Sequence, residues 1–195
     1  MHKPIFFAGI ALIIAGIAIL LYGLNFSSQF TISAGEWQVT WYSMQNTRGL
    51  WGSAITSAKF PTNFSYDPLE LYTRSEPIGF RATLIIDVPR EIKVRLTIGG
   101  DDGEIYLFLD GREILSLICH DPNNITSTET TLTVGRHTLE LAYFQVLLED
   151  DPAAQFEIMI PEQRVATNIM TVGGIISLIG VFSTIMGLLW RPERV

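Results

Sequence analysis

Residues 91 to 118 of the chain read EIKVRLTIGGDDGEIYLFLDGREILSLI. Every second residue from Ile92 to Ile98 is apolar and the residues between them are polar, which is typical of a strand with one buried face. Further along, the dipeptide Asp110-Gly111 supplies the positive φ angles of a tight turn. The apolar segments on either side of it, Ile105–Leu109 and Glu113–Ile118, are therefore expected to pair as an antiparallel hairpin.

The sequence after this hairpin continues in the same way. A short strand at 131–133, a turn at 134–136, a long strand at 137–147 and a last strand at 155–160 are expected, with no convincing amphipathic helix. This spacing predicts that the central part of the chain is an antiparallel β-sandwich. Residues 37 to 72, which are rich in aromatics, serine, threonine and glycine, are expected to form short strands joined by long loops.

The strand Ile105–Leu109 carries apolar residues on both of its faces. Such a strand is expected to be covered on both sides. The sandwich core covers one side, and either a long loop or a partner subunit covers the other.

The two ends of the chain are the most apolar parts of a sequence that is 195 residues long, 48% hydrophobic and only 17% charged. The runs Ile5–Leu24 and Ile169–Trp190 contain no charged residue, and each is long enough to cross the hydrocarbon core of a bilayer as a helix. We therefore predict two transmembrane helices. The first is expected to be an uncleaved anchor, because its apolar stretch is longer than that of a signal peptide and no cleavage site follows it.

Charged residues beside the helices predict the orientation in the cell membrane. Lys3 precedes the first helix, and Arg191 and Arg194 follow the second, so both termini of a two-pass protein are expected in the cytoplasm. This divides the chain into an N-terminal anchor at 1–24, an extracytoplasmic domain at 25–168, and a C-terminal helix with a short tail at 169–195.

The predicted extracytoplasmic domain contains three asparagine sequons, which make the protein a candidate glycoprotein. They are expected to accept a glycan if the host glycosylates exported proteins. The three asparagines are Asn25, Asn63 and Asn124.

Glycine recurs every seven residues in both predicted helices, which gives each helix a seam of small residues. A seam of this kind lets two helices approach closely and keeps them in contact along a left-handed crossing. We therefore predict an antiparallel hairpin; the alternative is that glycine and alanine are simply common in membrane helices. The predicted opposing pairs are Gly9 with Gly187, Gly16 with Gly180, and Gly23 with Gly173.

Several classes of function are excluded by composition. A formal net charge of −7 gives no electrostatic footprint for nucleic acid. Nucleotides are not expected either, because the glycine pair Gly99-Gly100 precedes two carboxylates that repel phosphate. Neither predicted span contains an ionisable residue, as a proton or ion pathway would require.

Catalysis finds little support in the sequence. The single cysteine, Cys119, excludes an intrachain disulfide. Its neighbours His120 and Asp121 do not form a nucleophile–base pair with it, because adjacent residues of a strand point to opposite faces. The acidic pair Glu149 and Asp150 lies in no recognisable pocket motif. We expect that the protein is not an enzyme.

The stretch from Val94 to Leu115, followed by TLTVGRHTLELAY at 131–143, resembles the protective-antigen-type β-sandwich module. This module also occurs in fungal flocculins, in many glycosidases and in other exported proteins. The resemblance covers about residues 37 to 161 and lies mainly in the order of the strands and of the turns Asp-Asp-Gly, Asp-Gly and Gly-Arg-His. It implies the sandwich fold but no single activity, because one fold hosts many functions.

The resemblance also implies a calcium site. In sugar-binding members of the family, an aspartate pair that corresponds to Asp101 and Asp102 holds a calcium ion that contacts sugar hydroxyls, together with an asparagine from a later loop. Carboxylates are ligands that calcium prefers. In place of that asparagine, this chain has an acidic run at 149–151. The alternative is that Asp101 and Asp102 only form a turn in which they accept backbone hydrogen bonds.

Four aromatic residues near the start of the sandwich allow two interpretations. They could form a surface on which sugars stack, or they could pack in the core, which is the more common role of large aromatic side chains. The four residues are Trp37, Trp41, Tyr42 and Trp51.

Two functions follow from these observations. In the first, the protein is an accessory subunit of a larger membrane complex, whose sandwich caps or stabilises integral membrane partners. In the second, it is a cell-surface or envelope protein that binds glycans with calcium at Asp101 and Asp102.

Overall fold

The computed structural model describes residues 1–44, 51–66, 78–101, 103–119, 124–145 and 153–190. The chain divides into a helical unit, Met1–Thr31 with Pro161–Val195, and a β unit, Ile32–Ile160. The helices are α1 (Lys3–Ser28) and α2 (Pro161–Leu189). The strands are β1 (Ser33–Ala34), β2 (Trp37–Met44), β3 (Trp51–Phe60), β4 (Phe64–Tyr66), β5 (Ile78–Val88), β6 (Ile92–Asp101), β7 (Gly103–Leu109), β8 (Arg112–Cys119), β9 (Asn124–Leu132), β10 (Gly135–Gln145) and β11 (Ala153–Met159).

The β unit is an antiparallel sandwich of two sheets. The large sheet has the order β3-β2-β5-β10-β7-β8, with β1 also paired to β5, and the small sheet has the order β4-β11-β6-β9. The predicted fold class, an antiparallel β-sandwich with a long apolar helix at each end of the chain, is confirmed. The chain enters the sandwich at Ile32 and leaves it at Ile160. Both residues lie at the same end of the sandwich, and β6 and β10 finish at the other end.

Alternating side chains form the core between the two sheets. On β6, each apolar residue from Ile92 to Ile98 faces inward, as predicted, and the residues between them are at least partly exposed. The Trp37 ring lies edge-on to Phe156 at 4.9 Å, and Trp41 lies edge-on to Phe80 at the same centroid distance. Both tryptophans are buried, so the packing interpretation is confirmed for them.

The predicted hairpin at Asp110-Gly111 is also confirmed. Leu109 lies opposite Arg112 across the turn, and both central residues have positive φ, 52° for Asp110 and 78° for Gly111. An aspartate followed by a glycine adopts these angles at low cost, which is why the dipeptide marks the turn in the sequence.

Two sequence expectations about strands are wrong. In the region after Trp37, β2 spans eight residues and β3 spans ten, although β4 is as short as expected, with three. β3 is an edge strand whose middle is exposed on both faces, so its sequence lacks the alternation that predicts a strand. β9 begins at Asn124 rather than near Thr131. Polar residues occupy most of its inner positions, and Ile125 is exposed on its outer face, so its sequence does not show the alternation that predicts a strand.

The helical unit is an antiparallel pair of helices that are both long and apolar enough to cross a membrane. α1 continues beyond Leu24 to Ser28, and α2 begins eight residues before the apolar run, at Pro161, where proline suits a first helical position. Gln163 donates through Nε2 to the Phe30 carbonyl at 2.7 Å, which satisfies a backbone group just past the end of α1. Threonines inside α2 bond back to their own helix; Thr184, for example, donates to the Gly180 carbonyl at 2.8 Å.

The helices pack along the glycine seam, but in a register that differs from the predicted one. A Cβ atom added at Gly9 would lie 2.8 Å from the Gly180 carbonyl oxygen, and one added at Gly16 would lie 2.7 Å from that of Gly173. At the end of the seam, the backbone N–H of His2 donates to the Gly187 carbonyl at 2.7 Å. Gly9 and Gly16 therefore lie against Gly180 and Gly173, whereas Gly23 lies against Met170 and Gly187 against Phe6. The predicted pairs Gly9 with Gly187, Gly16 with Gly180, and Gly23 with Gly173 are wrong.

Candidate functional site

Asp101, one half of the predicted calcium pair, is the last residue of β6 and lies opposite Ala153 on β11. Its backbone carbonyl accepts a hydrogen bond from the Tyr143 hydroxyl at 3.3 Å. Asp102 lies outside the described residues, as does the acidic run 149–151. Within the described ranges, no group of three or more His, Cys, Asp or Glu side chains is placed to hold a metal ion. The calcium site stays a prediction.

Cys119 is buried at the end of β8, opposite Gly103. Burial raises the pKa of its thiol to about 11, and the negative charge of Asp101 adds to this effect. The side chain is therefore a neutral thiol at physiological pH, in agreement with a packing role. His120 and Asp121 lie outside the described residues.

The three sequon asparagines lie in different settings. Asn25 is in the last turns of α1, and Asn124 begins β9, opposite Gly100. The Asn63 side chain pairs with a strand backbone: its Oδ1 accepts from the N–H of Ile158 at 2.9 Å, and its Nδ2 donates to the carbonyl of the same residue at 3.5 Å. Asn63 thus holds the chain before β4 against β11. Glycosylation at the three asparagines stays a prediction.

The outer face of the large sheet, which points away from the core, forms an open groove of about 1070 Å³. It crosses β2, β5, β10, β7 and β8, and we call it the outer-face groove. Its aromatic side chains are Tyr42, Tyr106, Phe108 and Phe144. Its polar and charged side chains are Gln38, Thr40, Arg81, Thr83, Glu104, Glu113 and Glu140.

At one end of the groove, the Trp51 ring lies among other aromatic rings. Its centroid is 4.7 Å from that of Phe144 and 5.1 Å from that of Tyr42. Gly79 makes room for this ring, since a Cβ atom there would lie 3.1 Å from Trp51. The Arg81 guanidinium lies over the same ring at 4.7 Å, which is a cation–π contact. Of the four aromatics considered from sequence, Tyr42 and Trp51 therefore lie on the outer face.

Tyr106 lies in the middle of the groove, 5.9 Å from Phe144 between ring centroids. Its hydroxyl donates to Glu104 Oε2 at 2.7 Å. This hydrogen bond raises the pKa of Tyr106 to about 12, and burial and the charges of Glu104 and Glu113 act in the same direction. The phenol therefore keeps its proton, and this half-buried side chain lines the groove.

Next to Tyr106, the strand register alternates rings and carboxylates. Phe108 on β7 lies opposite Glu140 on β10 and opposite Glu113 on β8. Directly opposed side chains on one face are about 5 Å apart at Cβ. Phe108 therefore has a glutamate opposite it on each neighbouring strand, and on the β8 side the pair lies at a register shift between Leu107 and Phe108.

The groove explains the second apolar face of β7. Ile105 and Leu107 point into the core and are fully buried, whereas Tyr106 and Phe108 are half-buried on the outer face. The sequence signal for the groove was this two-sided apolar strand. The sequence pattern of β7 did not identify the residues that β2, β5, β8 and β10 bring to the same face.

The groove has the chemistry of a binding surface. The described lining contains flat apolar rings, hydrogen-bond acceptors in three glutamates, and donors in Arg81 and Gln38, but no histidine, cysteine or lysine. A ligand with both apolar faces and hydroxyl groups matches such a lining.

Neither a protein-family model nor a curated protein matches the sequence. Among solved structures, an anti-sigma factor domain-containing protein is similar with a TM-score of 0.50 and 15% identity, over 67% of this chain and 44% of that one. A β-glucosidase from Kluyveromyces marxianus in complex with glucose gives a TM-score of 0.49 and 9% identity, over 68% of this chain and 17% of the glucosidase. A PA14 sugar-binding domain from an RTX adhesin gives 0.45 and 15%, over 65% of this chain and 89% of that domain.

At such low identity, a structural likeness concerns the fold and carries no activity across. This chain spans less than half of the anti-sigma factor domain-containing protein and less than a fifth of the glucosidase. Membership of the protective-antigen-type family stays a prediction. The comparison with the anti-sigma factor domain-containing protein shows that the β unit of this chain has a β-sandwich fold that is also found in other proteins.

Proposed function

We propose that this protein is a non-enzymatic, two-pass membrane protein that binds glycans in the outer-face groove of its extracytoplasmic sandwich. The observation that carries the proposal is the combination, in one open groove, of half-buried aromatic rings with side-chain donors and acceptors. Sequence and helix length support the membrane anchor, and the charges at Lys3, Arg191 and Arg194 support a sandwich outside the cytoplasm.

Sugar chemistry fits this lining. A pyranose ring presents a patch of C–H groups, which packs against aromatic faces such as those of Tyr106 and Phe108. Its hydroxyl groups both donate and accept hydrogen bonds. The carboxylates of the groove accept from them, and the Arg81 guanidinium donates to them. The volume of about 1070 Å³ exceeds the need of one sugar and suits an oligosaccharide.

The test is binding of the full-length protein, reconstituted in nanodiscs, to an array of purified glycans. Ala142 lies at the middle of the groove, opposite both Arg81 and Tyr106, so Ala142→Leu places bulk where the sugar would lie. Thr131→Leu is the matched control, because Thr131 is exposed on the small sheet, opposite Lys93. We expect Ala142→Leu to weaken array binding about tenfold or more, which corresponds to about 1.4 kcal/mol, while Thr131→Leu binds like the wild type.

Calcium chelation separates the groove from the loop-end alternative. Binding in the groove is expected to persist in EGTA, because its donors and acceptors are all side chains of the protein. Loss of binding in EGTA, together with equal binding by the wild type and Ala142→Leu, would instead place the sugar at Asp101 and Asp102. Absence of binding to any glycan would contradict the proposal.

A role as accessory subunit is the second candidate, and the surface of the helical hairpin favours it. Each helix carries a row of large apolar residues at heptad spacing that its partner does not bury: Phe7, Ile14 and Leu21 on α1, and Ile175, Phe182 and Leu189 on α2. Such rows suit further helices as well as lipid. If integral membrane subunits pack there, they should be recovered in stoichiometric amounts with the tagged protein from native membranes in mild detergent. Recovery of the protein alone would contradict this role.

A further inference from the structure

We infer that the outer-face groove selects uncharged glycans and rejects acidic ones, and that Glu113 and Glu140 are the residues that set this selectivity. The inference rests on the proposed function, because it concerns which glycans the groove takes.

Glutamates lie beside the aromatic residues of the groove. Glu140 and Glu113 lie on the strands on either side of β7, both directly opposite Phe108. Glu104 lies two residues before Tyr106 and is bonded to its hydroxyl. A sugar that packs on Tyr106 and Phe108 therefore has a carboxylate on each side of it.

The described lining of the groove carries more negative than positive charge. Arg81 is the only cationic side chain among the described lining residues, against three glutamates, and its guanidinium already lies over the Trp51 ring. The hydrogen bond to Glu104 and burial raise the pKa of Tyr106, and the negative charges of Glu104 and Glu113 add to this effect. A sugar carboxylate, sulfate or phosphate bound there would meet like charge on both sides of its binding surface, at separations where repulsion is only partly screened.

The same carboxylates favour the binding of an uncharged sugar. A hydroxyl donates to a carboxylate in a charge-assisted hydrogen bond, which is stronger than one between neutral groups. The glutamates thus favour neutral sugars and disfavour acidic ones at once, and such a paired effect is how binding sites commonly achieve specificity.

The test compares matched glycans on the full-length protein in nanodiscs at low salt. The probes are N-acetyllactosamine-based glycans printed in neutral, sialylated and sulfated forms, and cellohexaose with its C6-carboxylate derivative. The groove variant is E113Q/E140Q, which keeps the side-chain shapes. The control is E91Q/E157Q, which removes the same net charge from two exposed positions outside the groove.

The wild type and the control are expected to bind the neutral member of a pair at least about tenfold more tightly than the acidic one, whereas the groove variant should reduce this ratio severalfold. Addition of 0.5 M salt should also reduce it. Equal or tighter binding of acidic glycans by the wild type would overturn the inference, as would an unchanged ratio in E113Q/E140Q; in either case glycan binding itself would stand. If neither member of any pair binds, the proposed function fails as well.

Discussion

His137 is buried on the inner face of β10, yet both of its ring nitrogens face oxygen atoms. Nδ1 lies 2.7 Å from Asp110 Oδ2, and Nε2 lies 2.9 Å from the Thr133 carbonyl oxygen. A carbonyl and an ionised carboxylate both accept only, so both contacts are hydrogen bonds when the ring is a protonated imidazolium. The hydrogen bond to Asp110, and then that to Thr133, raise the pKa of His137 above its ordinary value.

Asp110 is the other half of this contact. Burial favours its neutral form, but hydrogen bonds from His137 and from the backbone N–H of Thr138, at 2.8 Å, outweigh burial and lower the pKa of its carboxyl group. The turn that the sequence identifies at Asp110-Gly111 is therefore fixed to the start of β10 by a side chain, a contact that no local pattern reveals.

The sandwich should accordingly lose stability in mild alkali. Because the pKa of His137 is raised in the folded state, its contribution is complete below its unfolded pKa of about 6.5 and is lost as pH rises through the folded pKa. We expect the melting temperature, followed by tryptophan fluorescence in detergent, to fall between pH 6 and pH 9. His137→Gln should lower the free energy of unfolding by about 2 kcal/mol at pH 6 and flatten this slope. A wild-type melting temperature that rises over the same range, or a slope unchanged in His137→Gln, would contradict the assignment.

Two adjacent glycines on α2 differ in whether they pack against α1. A Cβ atom at Gly173 would lie 2.8 Å from the Gly16 carbonyl oxygen and 2.8 Å from the backbone nitrogen of Leu20. At Gly174, an added Cβ atom would meet nothing within 4 Å. Gly173 therefore reports the contact between the helices, and Gly174 is its matched control.

Gly173→Leu should destabilise the helical hairpin by about 1 to 3 kcal/mol, because backbone atoms of α1 must move to admit the side chain. Gly174→Leu should leave it unchanged. The measurement is thermal loss of the helical circular dichroism signal of the full-length protein in detergent, at a wavelength of 222 nm. Equal melting temperatures for the two variants would show that the helices do not pack along this seam.

Elements with strong local patterns were predictable, and elements defined by tertiary position were not. β6 and the β7–β8 hairpin follow from alternation and from one turn dipeptide. β3 was missed because an edge strand exposed on both faces needs no alternation. The predicted register of the two helices was wrong because a seven-residue repeat looks the same after a shift of seven. The ends of the seam distinguish the registers, since His2 lies next to Gly187 and Ala166 is fully buried.

The outer-face groove was even harder to predict from local sequence patterns than β3 or the helix register. Its lining comes from five strands that lie up to about 100 residues apart in sequence, between Gln38 and Phe144, and only the sheet order brings them together. The sequence did indicate that the outer face of β7 needs a cover. The contribution of Arg81 and of the three glutamates depends on strand pairing that one sequence alone does not specify.

For the whole molecule, the proposed topology predicts which parts of the chain are accessible from each side of the membrane. A cysteine introduced at the exposed Thr131, in a Cys119→Ser background, should react with a membrane-impermeant maleimide added to intact cells. A cysteine introduced at Val195 should react only after the membrane is permeabilised. The reverse pattern would contradict the orientation inferred from Lys3, Arg191 and Arg194.

The proposed function of the outer-face groove is glycan binding. The most direct measurement is an equilibrium titration, in EGTA, of the strongest neutral array glycan into nanodiscs that carry the wild type, Ala142→Leu or Thr131→Leu. We predict saturable binding by the wild type and Thr131→Leu, with a dissociation constant at least about tenfold higher for Ala142→Leu. Equal affinity of all three proteins, or loss of wild-type binding in EGTA, would contradict it.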